Sequence, residues 1–535
     1  MKGRFFSFAG HASPLINFGY SFRERIANTM SSKSKSGNVE VEGDQISCLP
    51  DAILSHILSL IPLKSAVQTS ILSKRWTNLW TSITNIEFEE EVVNATRYMV
   101  DSILSRCTSK QIERFSLVVN VDVDFEHVKA WVNDAVSRNV RELRLKRSIM
   151  PQCIFTCKTL TVLELVSDIL FHKNNIPTSF DLPNLKSLRT CLLYPKVLAN
   201  KLFSSCPILE DLTIEGTVRS GTIFNISCPL LKTLKMELHA LDFEGLKCKF
   251  VINAPDVKYL ELIDMSTAEY VVENLNSVVE AKMEIVHGST DEIFVNHTVG
   301  LLWEFSTLKS LSLDEVFLAV LNSAQRRDLP TFHNMIRVEL FANYYTDQRM
   351  IACLLNVCPI LEVLILHEGS DQSYLPEQTN LLSDLEIVPE CLLSCVKVIE
   401  LEGLEGNSYE MEMVKYLLAN ARVLKYLTIK SWTTAPELDF EIFKQLVELP
   451  KGQESSRELR NNHCVLRYAH KAIMLPVKKV RVQSRKKVPD EDVEVNKKLI
   501  KFQQKNFKED TRFGAEKIAL FKPKIGRNHA SKVIV

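Results

Sequence analysis

Apolar positions recur along most of this chain in one six-residue spacing, apolar-x-x-apolar-x-apolar. Clear copies occupy residues 160–165 (LTVLEL), 209–214 (LEDLTI), 231–236 (LKTLKM), 257–262 (VKYLEL), 308–313 (LKSLSL), 361–366 (LEVLIL) and 424–429 (LKYLTI). Weaker copies begin at Ile112, Val140, Leu185, Val278, Met335 and Val396, and most steps between successive starts fall between 20 and 30 residues. The last two apolar positions of each copy are two apart, so they share one face of a strand. One strand cannot bury that face alone, but neighbours stacked in parallel can, which predicts a solenoid with one strand per repeat. Thirteen strands at about 4.8 Å each make an arc of roughly 60 Å. The residue between the two apolar positions faces outward. Glu164, Thr213, Lys235, Glu261, Ser312, Ile365 and Thr428 hold that place, and their variety suits a recognition surface.

A different pattern fills residues 46–80. Ile53, Leu54, Ile57 and Leu58 stand at i, i+1, i+4 and i+5, which is a helical apolar face. Pro50 suits the first turn of that helix, and Asp51 suits the positive end of its dipole. Pro62 stops it. A second helix is expected from about Leu63, with Val67 and Ile71 on one side, and a third over 73–79 carrying Trp76. Three helices this short are marginal alone, and so short a stretch cannot enclose a core for all its Leu, Ile and Trp. Part of its apolar surface must lean on something else.

Three groups of residues here, Leu49-Pro50-Asp51, Ile53-Leu54-x-x-Ile57-Leu58 and Leu72-Ser73-Lys74-Arg75-Trp76-x-x-Leu79-Trp80, resemble in order and separation an F-box, the module that binds the Skp-type adaptor of SCF ubiquitin ligases. By this resemblance Leu49, Pro50, Ile53, Ile57, Leu58, Trp76 and Leu79 line or support the adaptor interface. Leu49, Pro50 and Leu58 are expected on the interface itself and Leu54, Val67 and Ile71 in the core, with Trp76 serving both.

The period of the following array is that of a leucine-rich repeat. Cys206-Pro207, Cys228-Pro229 and Cys358-Pro359 each stand just before a copy, as do Leu182-Pro183 and Ala254-Pro255. Proline ends the preceding segment and biases the chain toward extended structure. With its uneven spacing the array resembles the irregular leucine-rich repeats of plant F-box proteins, whose far side carries short or irregular helices. Residues 388–431 read as strand, helix, strand, with a turn at Gly403 and Gly406 and a capping pair at Asn407 and Glu410. Val388-Pro389-Glu390-Cys391-Leu392-Leu393 and Tyr416-Leu417-Leu418-x-Asn420-Ala421-x-x-Leu424 resemble the FBD domain, expected to cap the array and to end near 446–451 (LVELPK).

Charge changes the picture at the ends. The formal net charge is zero, yet residues 451–535 hold 22 Lys and Arg against 9 Asp and Glu, while residues 44–450 hold 37 against 53. The cluster 478–487 (KKVRVQSRKK) could act in nuclear import or bind phosphate, but no aromatic residues interleave with it, so nucleic-acid binding is disfavoured. Residues 1–30 contain one acid, Glu24, and four bases. That composition suits a transit peptide or a disordered leader ahead of Met30, and the leader is the reading taken. The 13 Cys form no C-x-x-C pair and read as reduced thiols in an intracellular protein. No apolar run reaches the ~18 residues of a membrane span. Phosphate-binding glycine loops, G-x-S-x-G and H-E-x-x-H are absent.

The expected chain is therefore α/β. Residues 1–43 form a leader and linker, 44–84 a three-helix F-box, 85–384 a horseshoe-like solenoid of parallel strands, 385–451 a strand–helix–strand FBD cap and 452–535 a basic tail without folded structure. The resemblance implies a non-catalytic substrate-recognition subunit of an SCF-type ligase in the nucleus or cytoplasm. It would bind a Skp-type adaptor, through it a cullin, and an unnamed target protein. No cofactor, metal or membrane is expected. The alternatives are a non-ubiquitinating repeat scaffold and a nucleic-acid-associated protein acting through its tail.

Overall fold

The computed structural model describes residues 46–431, apart from residue 47 and short stretches of which 167–176 and 370–386 are the longest, together with the strand Val465–His470. The expectations for residues 1–43, for 446–451 and for the basic cluster 478–487 lie outside the described residues.

The apolar spacing becomes a sheet of fifteen parallel strands. Thirteen of them begin two residues after the thirteen pattern starts, from Arg114–Val118 behind Ile112 to Tyr426–Ser431 behind Leu424. A constant offset fixes register, because a slip of one residue would turn every apolar side chain outward. Pairing carries the outward residues into one row: Glu164, Arg189, Thr213, Lys235, Glu261, Lys282, Ser312, Glu339, Ile365, Glu400 and Thr428 stand side by side. Under that row Leu163, Leu188, Leu212, Leu234 and Leu260 are fully buried in a line through the core.

The proline entries are one case of a general turn. In ten repeats the first apolar residue donates its N–H to the carbonyl three residues earlier, as in Leu209 to Cys206 (3.2 Å), Leu231 to Cys228 (3.2 Å), Val257 to Ala254 (3.3 Å) and Met335 to Phe332 (3.2 Å). The accepting residue is Cys, Leu, Ala or Phe and is buried every time. Cysteine at this place is a small apolar anchor, exchangeable with Ala, and proline at the next position presets the turn.

Two strands extend the array beyond the thirteen. Asn85–Glu87 opens it, pairing with Arg114–Val118. It follows Ile83, and Ile83, Ile86 and Phe88 are all buried in the spacing of the repeat. The last residues of the F-box module are thus the first repeat. At the other end Val465–His470 pairs with Tyr426–Ser431. This corrects the expectation that residues 452–535 lack folded structure: the sheet reaches into that tail. Ending the chain at residue 451 is expected to bare the edge of Tyr426–Ser431 and promote edge-to-edge association. Light scattering should rise with that truncation and stay at the full-length level when the chain ends after residue 470.

The far side of the solenoid is mixed. Over 222–274 it carries three strands, Thr222–Ser227, Cys248–Asn253 and Ala268–Asn274, which form a second parallel sheet. These segments are rich in β-branched and aromatic residues, which favour strands over helices. Phe224, Phe250 and Tyr270 stand in register and stack, with ring centroids 4.9 and 5.9 Å apart. The helices Lys196–Ser204 and Glu292–Trp303 pack beside the outer strands of this sheet and shield its edges.

The expected strand–helix–strand at 388–431 forms as Val398–Leu404, Ser408–Asn420 and Tyr426–Ser431. Asn407 and Glu410 make a full capping box; the Glu410 carboxylate accepts from the N–H groups of Gly406 (2.6 Å) and Asn407 (3.0 Å). Gly406 adopts positive φ in the turn between strand and helix, and Gly403 adopts it at the irregularity where the pairing of Val398–Leu404 with Tyr426–Ser431 shifts register. Tyr344 ties this module to the preceding repeats, its buried hydroxyl lying 2.7 Å from the carbonyls of both Leu366 and Glu402.

Candidate functional site

The first helix of the N-terminal module, Asp51–Ser59, starts directly after Pro50, and the second, Leu63–Gln68, directly after Pro62. The helix expected over 73–79 does not form. Turns closed by three-residue hydrogen bonds, Trp76 to Ser73 and Leu79 to Trp76, run into the 3-10 turn Leu79–Ser82 instead. The tighter turn tucks both tryptophans inward, and Trp76 and Trp80 are buried. Arg75 fixes the arrangement: its Nε donates to Asp51 Oδ1 at 2.8 Å, and its guanidinium also reaches the Leu49 carbonyl. The two ends of the sequence motif are thereby bound to each other.

The seven residues named by the F-box resemblance separate into two sets. Pro50, Ile53 and Ile57 are open to solvent, the last two at 46% and 40%, and Leu49 is half-buried. Leu58, Trp76 and Leu79 are closed, at 2%, 8% and 7%. The expectation that Leu58 lies on the docking face is therefore corrected. Leu54 and Leu58 are one helical turn apart on the inward stripe, against a core that also holds Leu63, Ala66, Trp80 and Ile83. Trp76 and Leu79 likewise support the face from beneath. Leu54 is in the core as expected, and Val67 packs against it.

The seven interface residues leave out four open ones: Ile46, Leu60, Ile61 and Leu72, the last of which stands in the motif itself. Leu60 and Ile61 continue the spacing of Ile53 and Ile57 by i+7 and i+8, so the signal was present in the sequence. Residues 46–72 hold six of the fourteen exposed large apolar side chains among the described residues. A concentration of this kind marks an interaction surface, whereas single exposed apolar residues do not.

The exposed face of the large sheet is the second candidate. Its charges are matched across neighbouring strands: Arg144 with Glu164 (3.5 Å), Arg189 with Glu215 (2.5 Å), Lys235 with Glu261 (2.9 Å) and Lys282 with Glu261 (3.6 Å). Burial works to raise the Glu261 carboxyl, but Lys235 and Lys282 outweigh it and hold it below its ordinary value. Exposed pairs of this kind contribute about 0–1 kcal/mol each; their larger effect is to set which charges a ligand meets. Ile365 departs from the expectation of an open outward residue. It is buried on that face, beside Glu339 and Glu400.

The buried thiols are chemically quiet. Burial pushes Cys206 and Cys391 up to about 12 and Cys228 up to about 11. They stay protonated near neutral pH and are poor nucleophiles. Among the described residues no cluster of His, Cys, Asp and Glu could hold a metal, and no helix is long and apolar enough to cross a membrane.

Comparison with known proteins matches three family models in chain order. The F-box domain matches residues 46–87, the LRR repeats described for FBD-associated F-box protein At5g56370 match 128–286, and FBD matches 385–429. F-box/FBD/LRR-repeat protein At5g22660 of Arabidopsis thaliana is 31% identical over 430 residues, covering 73% of this chain and 91% of that protein. F-box/FBD/LRR-repeat protein At5g22700 of the same plant is 30% identical over 72% of this chain and 91% of its own length. FBD-associated F-box protein At4g10400 is 29% identical over 77% and 98%. The helical module, the solenoid of parallel strands and the strand–helix–strand unit stand in the order these matches require, and the chain belongs to the F-box/FBD/LRR-repeat family.

Proposed function

We propose that this chain is the substrate-recognition subunit of an SCF-type ubiquitin ligase. The open side of residues 46–72 docks a Skp-type adaptor, and through it the cullin. The exposed sheet face holds a target protein. The chain supplies no reacting group: it brings target lysines near the ubiquitin-loaded enzyme, and the rate gain is one of proximity. Such a subunit works in the nucleus or the cytoplasm. The observation that carries this reading is the concentration of open apolar side chains, Ile46, Ile53, Ile57, Leu60, Ile61 and Leu72, on a module matching the F-box. Each large apolar side chain fully buried on docking contributes roughly 1.5–3 kcal/mol. Four or five therefore support nanomolar affinity, about −12 kcal/mol, after association costs are met.

The test is co-purification of the full chain with a Skp-type adaptor, comparing wild type with the double variant Ile53→Asp plus Ile57→Asp. Wild type should retain the adaptor, and the double variant should lose it at unchanged melting temperature. Equal retention by both, or retention by neither, removes the docking reading. Ubiquitin transfer to a bound protein in the reconstituted complex then separates a ligase receptor from a passive scaffold.

A further inference from the structure

The outward charges of the large sheet are unevenly spread along it. From the strand Asn85–Glu87 to Ser187–Cys191 the outward positions hold four bases against three acids. The next four strands, Asp211–Val218, Thr233–Ala240, Tyr259–Asp264 and Glu280–Ile285, hold six acids there against two bases. The acids are Asp211, Glu215, Glu237, Glu261, Glu280 and Glu284, and the bases are Lys235 and Lys282. From Ser310–Leu313 to Tyr426–Ser431 the outward positions hold three acids against two bases. Asp314 and Glu368, at or past the ends of their strands, are outside this count, since they accept from the N–H groups of Phe317 and Tyr344. The bases near the acidic stretch are already committed. Lys235 and Lys282 both reach Glu261, at 2.9 and 3.6 Å, and Arg189 of the preceding strand reaches Glu215 at 2.5 Å. Asp211, Glu237 and Glu280 are exposed, and Glu237 has His239 beside it at 3.7 Å. Among the described residues no Lys or Arg lies within ion-pair distance of these three.

The charge is also divided across the sheet. Just before the strands, on their entry edge, Lys186, Lys232, Lys258, Lys309, Lys397 and Lys425 outnumber Glu113, Glu210 and Glu362 at the same place. Toward the opposite edge, where the strands end, Glu215, Glu237, Ile263 and Glu284 stand side by side. All strands of the sheet are parallel, so the chain leaves the last of them, Val465–His470, on that acidic edge. The residues that follow carry the opposite sign: 471–489 hold seven Lys and Arg and no Asp or Glu.

Reach agrees with charge. Residues 478 and 487 stand eight and seventeen places after His470, so an extended chain carries them at most about 28 and 60 Å from it. The four acidic strands lie six to nine places from Val465–His470 in the order of the sheet, a span of about 29–43 Å at ~4.8 Å per strand. We propose that the basic segment 478–487 of this chain lies across the acidic middle of its own sheet face, over Glu215, Glu237, Glu280 and Glu284. Exposed ion pairs are individually weak, but a tethered segment meets its seat at an effective concentration on the order of millimolar. The seat rests on charge and reach alone and stands whether or not the chain serves a ligase. If the same face holds a target protein, a target gripped at its middle has to displace the segment, and one gripped near Glu164 does not.

The test is carbodiimide cross-linking of the full chain, which joins a lysine amine to a carboxylate in direct contact, followed by peptide mass spectrometry. Lysines of 478–487 should couple mainly to Glu215, Glu237, Glu280 and Glu284, with a yield that falls several-fold between about 50 mM and about 500 mM salt. In Arg481→Gln plus Arg485→Gln every reporting lysine remains, and the yield should again fall several-fold at unchanged melting temperature. A yield indifferent to both changes, coupling spread equally to exposed acids elsewhere such as Glu126 and Glu304, or no coupling overturns the proposal. Mixing ordinary with nitrogen-15-labelled chain identifies the donor: cross-links within one isotope support the seat, and cross-links between isotopes assign the segment to a second copy and overturn it.

Discussion

Leu58→Asp is expected to unfold the N-terminal module, while Ile57→Asp, one residue away, leaves it folded. Leu58 is on the inward stripe of the first helix and buried. An aspartate there loses the leucine packing, which costs about 2–5 kcal/mol. It also buries an unpaired carboxylate, a penalty of several kcal/mol more, or protonates to avoid it. The sum is comparable with the stability of a whole domain, ~5–15 kcal/mol. Damage should spread into Asn85–Glu87, since Trp80, Ile83 and Ile86 belong to the same core. Ile57 already meets solvent, and its replacement should shift stability by no more than ~0.5 kcal/mol. Limited proteolysis and thermal unfolding distinguish the two. A Leu58→Asp chain as protease-resistant as wild type would refute the inward placement. The pair also guards against a false result: loss of adaptor binding in Leu58→Asp reports folding, and loss in Ile57→Asp reports docking.

Phe250→Ala should be the most damaging single truncation within the array. The ring is fully buried between Phe224 and Tyr270, in the middle strand of the three-stranded far-side sheet. Phe→Ala in a core costs about 3–5 kcal/mol, and each lost aromatic pair adds ~0.5–1.5 kcal/mol. In a repeat array the loss is local, because each repeat touches only its neighbours. Hydrogen exchange should therefore rise over 209–285 and stay at the wild-type level around Val398–Leu404. Phe250→Leu, which keeps most of the volume, should recover more than half of the stability in urea unfolding. A Phe250→Ala cost below about 1 kcal/mol would contradict the ladder as a packing unit.

The main sheet was legible because its signal has period two inside a longer repeat, and burial on one face leaves few alternatives. The two strands that were missed show where that signal thins. Ile83, Ile86 and Phe88 fit the spacing in full, but they straddle the expected boundary between F-box (44–84) and solenoid (85–384), and no copy is counted before Ile112. Around Val465–His470 the last two places of the pattern are Leu466 and Tyr468, but the first falls on His463, so the sequence pattern is broken. The second sheet was hidden for another reason. A far-side segment needs only to cover the core, and strands and helices both can. What decides is the local content of Phe, Tyr, Val and Ile in TIFNIS, CKFVIN and AEYVVEN, set against helix formers in KVLANKLFS. In the docking module the pattern located the apolar residues but not their direction. Ile57 and Leu58 are adjacent and equally apolar, and only the angle at which the first helix meets the tryptophans turns one out and the other in.

That the F-box module ends inside the first repeat has a mechanical consequence. With Ile83 in both and no linker between them, the docking helices cannot swivel against the sheet, and the array becomes a graduated arm. Each strand is one division of about 4.8 Å, so the fifteen divisions span a contour of roughly 70 Å. A ligand gripped near Glu164 and one gripped near Glu400 would be presented at different, fixed reaches from the docking helices. Adding or deleting one whole repeat would move the far positions by one division and leave the near ones where they were.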